Sequence, residues 1–120
     1  MPRDSLVRQG STWLVAVVSS VGTVLASGCG SPFPHPSGAE VAALQPSDPA
    51  AKLEDLERGR TLYMSKCSSC HLLHPPSTIA PDAWPGKVLR MQSEGRVHLS
   101  DDDLRDIVRY VRAASLASHH

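Results

Sequence analysis

Two cysteines and a histidine lie within five consecutive residues, CSSCH, in which two serines separate Cys67 from Cys70 and His71 follows directly. Four chemistries use such a pair: a thioredoxin-like redox site, a structural zinc site, a disulfide, and a covalently attached c-type haem. A redox pair of that kind needs a surrounding α/β pattern, and a zinc site usually needs a second pair of ligands; the sequence has neither. A disulfide leaves His71 without a role.

A haem gives every residue of the motif a role. Cys67 and Cys70 would add to the two vinyl groups as thioethers, and His71 would ligate the iron as the proximal ligand. The folded part, residues 52–117, contains few aromatic side chains, namely Tyr63, Trp84 and Tyr110. Small scaffolds with so little core material usually need a metal, a disulfide or a cofactor. We therefore expect one haem c in the middle of this domain.

Helical periodicity accounts for the segment that leads into the motif. LEDLERGRTLYMSKC, residues 53–67, places four side chains on one stripe at spacings of three and four, namely Leu53, Leu56, Arg60 and Tyr63. Gly59 lies beside this stripe and would allow another backbone to approach closely. The pattern predicts a helix that ends at the first cysteine.

A second helix is predicted in PDAWPGKVLRMQSEG, residues 81–95. Trp84, Val88 and Met91 recur at helical spacing. Pro85 suits a first turn and Gly95 suits a C-terminal stop.

The third predicted helix, in LSDDDLRDIVRYVRAAS, has the clearest start signal. Ser100 is a good N-cap, and the three aspartates that follow it favour the positive end of the helix dipole. Leu99 and Leu104 flank the cap as a hydrophobic staple. An inward stripe follows at i, i+3, i+4 and i+7, namely Leu104, Ile107, Val108 and Val111. No convincing strand pattern appears, so the predicted fold class is all-α, a small helical domain packed around one covalent haem.

The N-terminal third has the composition of a targeting segment followed by a spacer. An uncharged apolar run, Trp13 to Ala26, predicts an export signal over residues 1–28, and a retained single-pass anchor is the alternative. LASGC resembles the lipobox of bacterial lipoproteins, which makes Cys29 a candidate for lipidation, with ordinary cleavage or an unmodified thiol as alternatives. Residues 29–51 are rich in Pro, Ser and Gly and are interpreted as a tether. Residues 118–120 would be a tail.

Taken together, ERGRTLYMSKC, CSSCH and LSDDDLRDIVRYV resemble a small bacterial monohaem cytochrome c of the class I type. In that family the first and last helices cross beside the haem, and Gly59, Tyr63 and Tyr110 match its usual crossing residues. HLLHPPSTIAPDAWPGKVLRM is also similar to segments of small cytochrome c domains in which a Pro-Pro pair and a Trp-led helix follow the motif.

The resemblance also implies a sixth iron ligand, most often a methionine. Met91 is the candidate, because Met64 lies too near the attachment cysteines and Met1 belongs to the signal. His98 is the main alternative and His74 a weaker one, and an open or water-bound position remains the last option. A thioether ligand would raise the reduction potential relative to a second imidazole.

The resulting hypothesis is an electron-transfer protein on the periplasmic side of the cell envelope, held to the membrane by a lipid anchor, and not an enzyme. Its partners would be redox proteins such as a dehydrogenase, an oxidase or a reductase, and four basic residues could steer them, namely Arg60, Lys66, Lys87 and Arg90. Twelve basic and twelve acidic residues give a net charge of zero, which argues against nucleic acid. The alternative is a haem-based gas sensor or ligand-binding protein with an open or weak sixth position.

Overall fold

The computed structural model describes residues 30–69 and 72–119. Cys29, Cys70 and His71, together with the export signal, lie outside the described residues. The described part is all-helical and contains no strand, as the sequence predicts. Its helices are α1 (Gly38–Leu44), α2 (Leu53–Lys66), α3 (Trp84–Ser93) and α4 (Asp101–Ser118), with 3-10 turns at Pro76–Thr78 and Pro81–Ala83.

Helix α4 is the central element, because all three other helices pack against it. It begins as predicted: the Ser100 hydroxyl accepts a hydrogen bond of 3.1 Å from the Asp103 N–H. Ile107 and Val111 of the predicted stripe are fully buried, whereas Leu104 and Val108 are only partly buried. The inward face of α4 therefore follows the sequence pattern at its centre and remains partly open towards its N-terminal end.

Helix α2 crosses α4 at Gly59, and this confirms the expected close approach. A Cβ atom at Gly59 would lie 1.9 Å from the Asp106 carbonyl oxygen and 3.0 Å from Tyr110 Cβ. Leu56 and Tyr63 face this crossing and are buried. The predicted stripe is wrong at Leu53, which is 40% exposed because it begins the helix beyond the reach of α4.

Helix α3 has the predicted start and stop. Pro85 lies in its first turn, and Gly95 follows its end with a φ of 70°, a left-handed conformation that glycine adopts without strain. Trp84 and Val88 are buried and pack against the side chains of α4.

Residues 30–51 differ from the extended spacer expected from their composition. They contain α1, whose N-terminus has a full capping box: the Ala39 N–H donates to the Ser37 hydroxyl at 3.2 Å, and the Ser37 N–H donates to Glu40 Oε2 at 2.8 Å. Leu44 at the end of α1 is fully buried. Buried Pro36 and Ala51 and the ion pair between Asp48 and Arg109 join Leu44 in holding the segment on the domain.

The buried side chains form two clusters on α4. The aromatic cluster consists of Tyr63, Trp84, Val88, Ile107, Tyr110, Val111 and Ala114. The aliphatic cluster consists of Leu44, Ala51, Leu56 and Ala113. Among the described residues between α2 and α3, Cys67, Leu73 and Ile79 pack against the aromatic cluster.

Candidate functional site

Cys67 lies directly at the end of α2. Its backbone N–H donates a hydrogen bond of 3.1 Å to the Tyr63 carbonyl, which makes it the C-cap residue of the helix. Its side chain is partly buried and packs against the aromatic cluster. The structure thus places the first predicted attachment thiol against the largest apolar surface of the domain, while Cys70 and His71 lie outside the described residues.

The chain that follows the motif is held over the aromatic cluster by two hydrogen bonds. The Tyr63 hydroxyl donates to the His74 carbonyl at 2.7 Å, and Trp84 Nε1 donates to the Pro76 carbonyl at 3.2 Å. The two rings meet edge to face with their centroids 5.8 Å apart. Burial, with a smaller contribution from Cys67, raises the pKa of Tyr63, so its hydroxyl stays protonated as a donor.

Apolar side chains at the edge of the aromatic cluster are only partly covered. They come from the segment after the motif, from the loop before α4 and from the first turns of α4, and include Leu73, Leu99, Leu104 and Val108. Leu72, the residue after His71, is 93% exposed. We call the four partly buried residues the apolar rim. Their exposure provides apolar surface that a flat hydrophobic group held by Cys67 could cover.

Met91 lies two turns after Trp84 on α3 and is partly buried. Its side chain lines an open cavity of about 270 Å³ together with Arg90, Glu94 and Arg96. Arg96 Nε and Glu94 Oε2 form an ion pair of 2.7 Å at the edge of this cavity. The cavity is therefore lined by Met91 and by charged residues, of which Arg96 and Glu94 already pair with each other.

Gln92, the residue after Met91, has a buried side-chain oxygen with no hydrogen-bond partner among the described residues. Asp106 Oδ1 and Arg112 Nε share this property elsewhere in the domain. Buried polar atoms almost always have a partner, so each such atom calls for a specific explanation. Among the described residues, a thiol at Cys67, a thioether at Met91 and the apolar rim are of the chemical kinds that a covalently held haem uses.

The alternative sixth ligands have different surroundings. His98 is exposed in the loop between α3 and α4, next to Leu99 of the apolar rim. His74 is also exposed, and its carbonyl is the acceptor for Tyr63. Met91, in contrast, is partly buried and belongs to a helix whose Trp84 and Val88 are buried in the aromatic cluster.

Two of the basic residues expected to steer partners are engaged within the domain. Lys66 Nζ lies 3.5 Å from an Asp103 carboxylate oxygen, and Arg60 Nε donates to the Phe33 carbonyl at 3.2 Å. Arg58 also pairs with Asp103 and with buried Asp106. These contacts fix the end of α2, and with it Cys67, beside the first turn of α4.

Sequence reasoning missed the contribution of the N-terminal segment to the site. The Phe33 ring lies 6.4 Å from the ring of Tyr63, and the Tyr110 hydroxyl donates to the Pro34 carbonyl at 3.1 Å. Burial raises the pKa of Tyr110 to about 12. The sequence did contain one signal for regular structure in this segment, the S-x-x-E pattern of the capping box at Ser37 and Glu40.

Comparisons of the chain with models of protein families, with curated proteins and with solved structures found no match. Within the described ranges, no helix is long and apolar enough to cross a membrane, and no group of three or more His, Cys, Asp or Glu side chains could hold a metal ion. What can be said of function therefore depends on the motif and on the geometry around Cys67.

Proposed function

We propose that this chain is a monohaem c-type cytochrome that transfers electrons in the cell envelope and is not itself an enzyme. Its one cofactor would be a haem c, attached through Cys67 and Cys70 with His71 as the proximal iron ligand. Its partners would be redox proteins such as a dehydrogenase, an oxidase or a reductase, on the periplasmic side of a membrane to which Cys29 anchors it.

One observation carries this proposal: Gly59, Tyr63 and Cys67 follow one another at intervals of four residues along α2. Residues at this spacing lie on one face of a helix. Gly59 contacts α4, Tyr63 belongs to the aromatic cluster and Cys67 carries the first attachment thiol. All three therefore lie along one face of α2. A group bonded to Cys67 would be held against the two crossed helices.

The bound haem would supply a one-electron couple between ferric and ferrous iron. The residues of the chain would do the rest. Cys67 and Cys70 would fix the group in position, and His71 and Met91 would be the residues that bind its iron and keep small molecules from it. The aromatic cluster and the apolar rim would exclude water from one face, which favours a high reduction potential together with the thioether of Met91.

The first experiment tests whether the cofactor is attached. The full chain is exported in a host that makes c-type cytochromes, and its intact mass and its absorption spectrum after denaturation are measured. We expect the mass of the processed, lipidated chain increased by one haem, and no such increase in the Cys67→Ala, Cys70→Ala double variant. Wild-type protein with no haem increment in its mass and no Soret band would contradict the proposal.

A second experiment tests the sixth ligand. Magnetic circular dichroism of the oxidised protein should contain the iron–sulfur charge-transfer band, and Met91→Ala should lose it. His98→Ala is the matched control and should keep the band. If His98→Ala changes the spectrum and Met91→Ala does not, His98 is the ligand.

The alternative function is binding of a gas or another small ligand at an open or weak sixth position. The observation that favours it is the position of Met91, which is only partly buried and lines an open cavity. Carbon monoxide added to the ferrous protein at neutral pH separates the two functions. Slow or incomplete binding supports electron transfer, and rapid, complete binding supports the alternative.

A further inference from the structure

The segment that follows Cys29 is attached to the domain almost at once. Arg60 Nε donates to the Phe33 carbonyl at 3.2 Å, and the Tyr110 hydroxyl donates to the Pro34 carbonyl at 3.1 Å. Pro36 is buried, and the Ser31 hydroxyl accepts a bond of 3.2 Å from the Phe33 N–H. From Phe33 onwards the chain therefore belongs to the folded body.

Because the folded body begins at Phe33, only a short length of chain would connect it to a lipid on Cys29. Four residues of fully extended chain from Cys29 to Phe33 span at most ~14 Å. A tether of residues 29–51 in an extended polyproline conformation would instead reach ~70 Å. A lipid on Cys29 would consequently hold the domain directly on the bilayer and limit its rotation.

The short connection also selects which face lies next to the lipid. Gly30, the residue bonded to Cys29, lines a groove of about 370 Å³ between the N-terminal segment, the first 3-10 turn and the end of α4. Most of its other walls are small and uncharged, namely Ser31, Pro32, Pro34, Pro76, Ser77, Ala114, Ala117 and Ser118. Glu40 is the one charged residue in this lining, and it is engaged in the capping box.

The predicted haem attachment lies near the other end of α4. Lys66, the residue before Cys67, pairs with Asp103 at 3.5 Å. At a rise of about 1.5 Å per residue, Asp103 and Ala117 are ~21 Å apart along the helix axis. The first turn of α4 also carries the exposed carboxylate of Asp101, whereas Asp102 pairs with Arg105 and Asp103 pairs with Arg58 and Lys66. An exposed carboxylate is repelled by the anionic surface of a bilayer.

From these observations we propose that the domain lies on the membrane in one orientation, with the groove beside Gly30 facing the lipid headgroups and the Cys67 end pointing away from them. The proposal depends on the lipidation of Cys29 put forward above. It identifies the partner class: electrons would be exchanged with proteins that approach from the aqueous side, and not with a carrier dissolved in the bilayer.

The test uses the full exported chain with one added thiol, reconstituted in vesicles of phosphatidylethanolamine and phosphatidylglycerol. Ala117→Cys adds a thiol to the groove face, and Asp101→Cys adds one to the far end; both positions are exposed. A bulky polyethylene-glycol maleimide modifies each variant in vesicles and in detergent. The parent chain supplies the background, since its haem-bonded and lipidated cysteines would not react.

We expect modification of Ala117→Cys to be roughly tenfold slower in vesicles than in detergent, with the rate for Asp101→Cys unchanged, because headgroups would cover only the groove face. A flexible Gly/Ser insert of about 15 residues after Gly30, with an average span of ~20 Å, should remove the difference.

Three outcomes would overturn the proposal in distinguishable ways. Equal rates at the two positions in a chain that floats with vesicles would mean that lipidation is present but the orientation is not fixed. Slower modification of Asp101→Cys alone would mean that the Cys67 end faces the bilayer. If the parent chain does not float with vesicles, or if the intact mass of the floating chain has no lipid on Cys29, then the lipid anchor itself is absent.

Discussion

The aliphatic and aromatic clusters share α4 but differ in how completely the chain covers them. Leu44, Leu56 and Ala113 of the aliphatic cluster have no exposed surface. The aromatic cluster has an equally buried centre, with Ile107 and Val111 at 0%. Within residues 30–69 and 72–119 the clusters differ at their edges: two partly buried apolar residues pack against the aliphatic cluster, Val41 and Leu116, whereas eight pack against the aromatic cluster, including the apolar rim. More partly covered apolar surface therefore lies on the side of α4 that contains Cys67.

Polar contacts as well as packing close the aliphatic side of α4. The aliphatic cluster is closed by α1 and by ion pairs: Arg109 binds Asp48 through two contacts of 2.6 and 3.1 Å and Asp55 through one of 2.9 Å. Ion pairs also connect the aromatic side, where Arg58 and Lys66 of α2 bind Asp103 in the first turn of α4. The two sides therefore differ in the number of their partly buried apolar side chains rather than in ion pairing. Under the proposed function, a covalent haem would cover the apolar rim.

The largest effect should come from Gly59→Ala, which acts on both clusters at once. The added methyl group would lie 1.9 Å from the Asp106 carbonyl oxygen, so α2 and α4 would have to separate. We expect a loss of about 4 kcal/mol in the free energy of unfolding or no folded protein, measured by urea denaturation.

Gly86→Ala is the matched control, since a Cβ atom at Gly86 has open space and lies within α3. It should leave stability unchanged or raise it by about 0.5–1 kcal/mol. Similar unfolding midpoints for the two alanine variants would contradict the close crossing.

Leu44→Ala tests whether the aliphatic cluster is a true part of the fold. Leu44 is fully buried, and its truncation should cost about 3 kcal/mol, whereas Leu89→Ala, at a side chain that is 50% exposed, should cost less than about 1 kcal/mol. Equal, small effects on the urea midpoint would mean that residues 30–51 behave as a spacer after all.

The elements that the sequence predicted best are those with two agreeing local signals. The start of α4 combines an N-cap, an acidic first turn and a staple, and α3 has Pro85 at its start and Gly95 at its stop. The close approach at Gly59 was also predictable, because a glycine beside an apolar stripe has few other uses in a helix. Each of these features depends on residues close in sequence.

The features that sequence reasoning missed depend on distant contacts. The composition of residues 30–51 indicates a spacer, yet Asp48 and Arg109, 61 positions apart, connect it to α4. The aromatic cluster gains Phe33 in the same way, from a segment with no apolar periodicity of its own. The composition of a segment does not predict a contact with a residue that is distant in sequence and becomes a neighbour only in the folded chain.

Arg109→Met tests the aliphatic side of α4, because it removes the ion pairs to Asp48 and Asp55 and does not alter the aromatic cluster. The Arg109 side chain is 12% exposed and Asp48 is 26% exposed, so the loss should be about 2 kcal/mol at pH 7. Lys52→Met, at a side chain 71% exposed that pairs with the exposed carboxylate of Glu54, is the control and should cost less than about 0.5 kcal/mol.

The ion pair between Arg109 and Asp48 also makes the free energy of unfolding depend on pH. The hydrogen bond from Arg109 holds the pKa of Asp48 below its ordinary value of 3.8. Its stabilisation is complete above that value and is lost as the pH falls through the lowered pKa, because the unfolded chain takes up the proton first. Asp48→Asn should therefore reduce the fall in unfolding free energy on acidification; an unchanged acid limb would contradict the pair.

Tyr110→Phe should give the smallest effect and tests the connection between the aromatic cluster and the N-terminal segment. It removes the 3.1 Å bond to the Pro34 carbonyl and should cost about 1 kcal/mol at pH 7. Burial raises the pKa of Tyr110 from 10.0 to about 12, so the folded protein keeps a proton that the unfolded chain loses. The contribution of the hydroxyl must then decline as the pH rises above 10. The stability difference between wild type and variant, measured by urea denaturation from pH 8 upwards, should shrink accordingly, and a constant difference would place the hydroxyl in solvent.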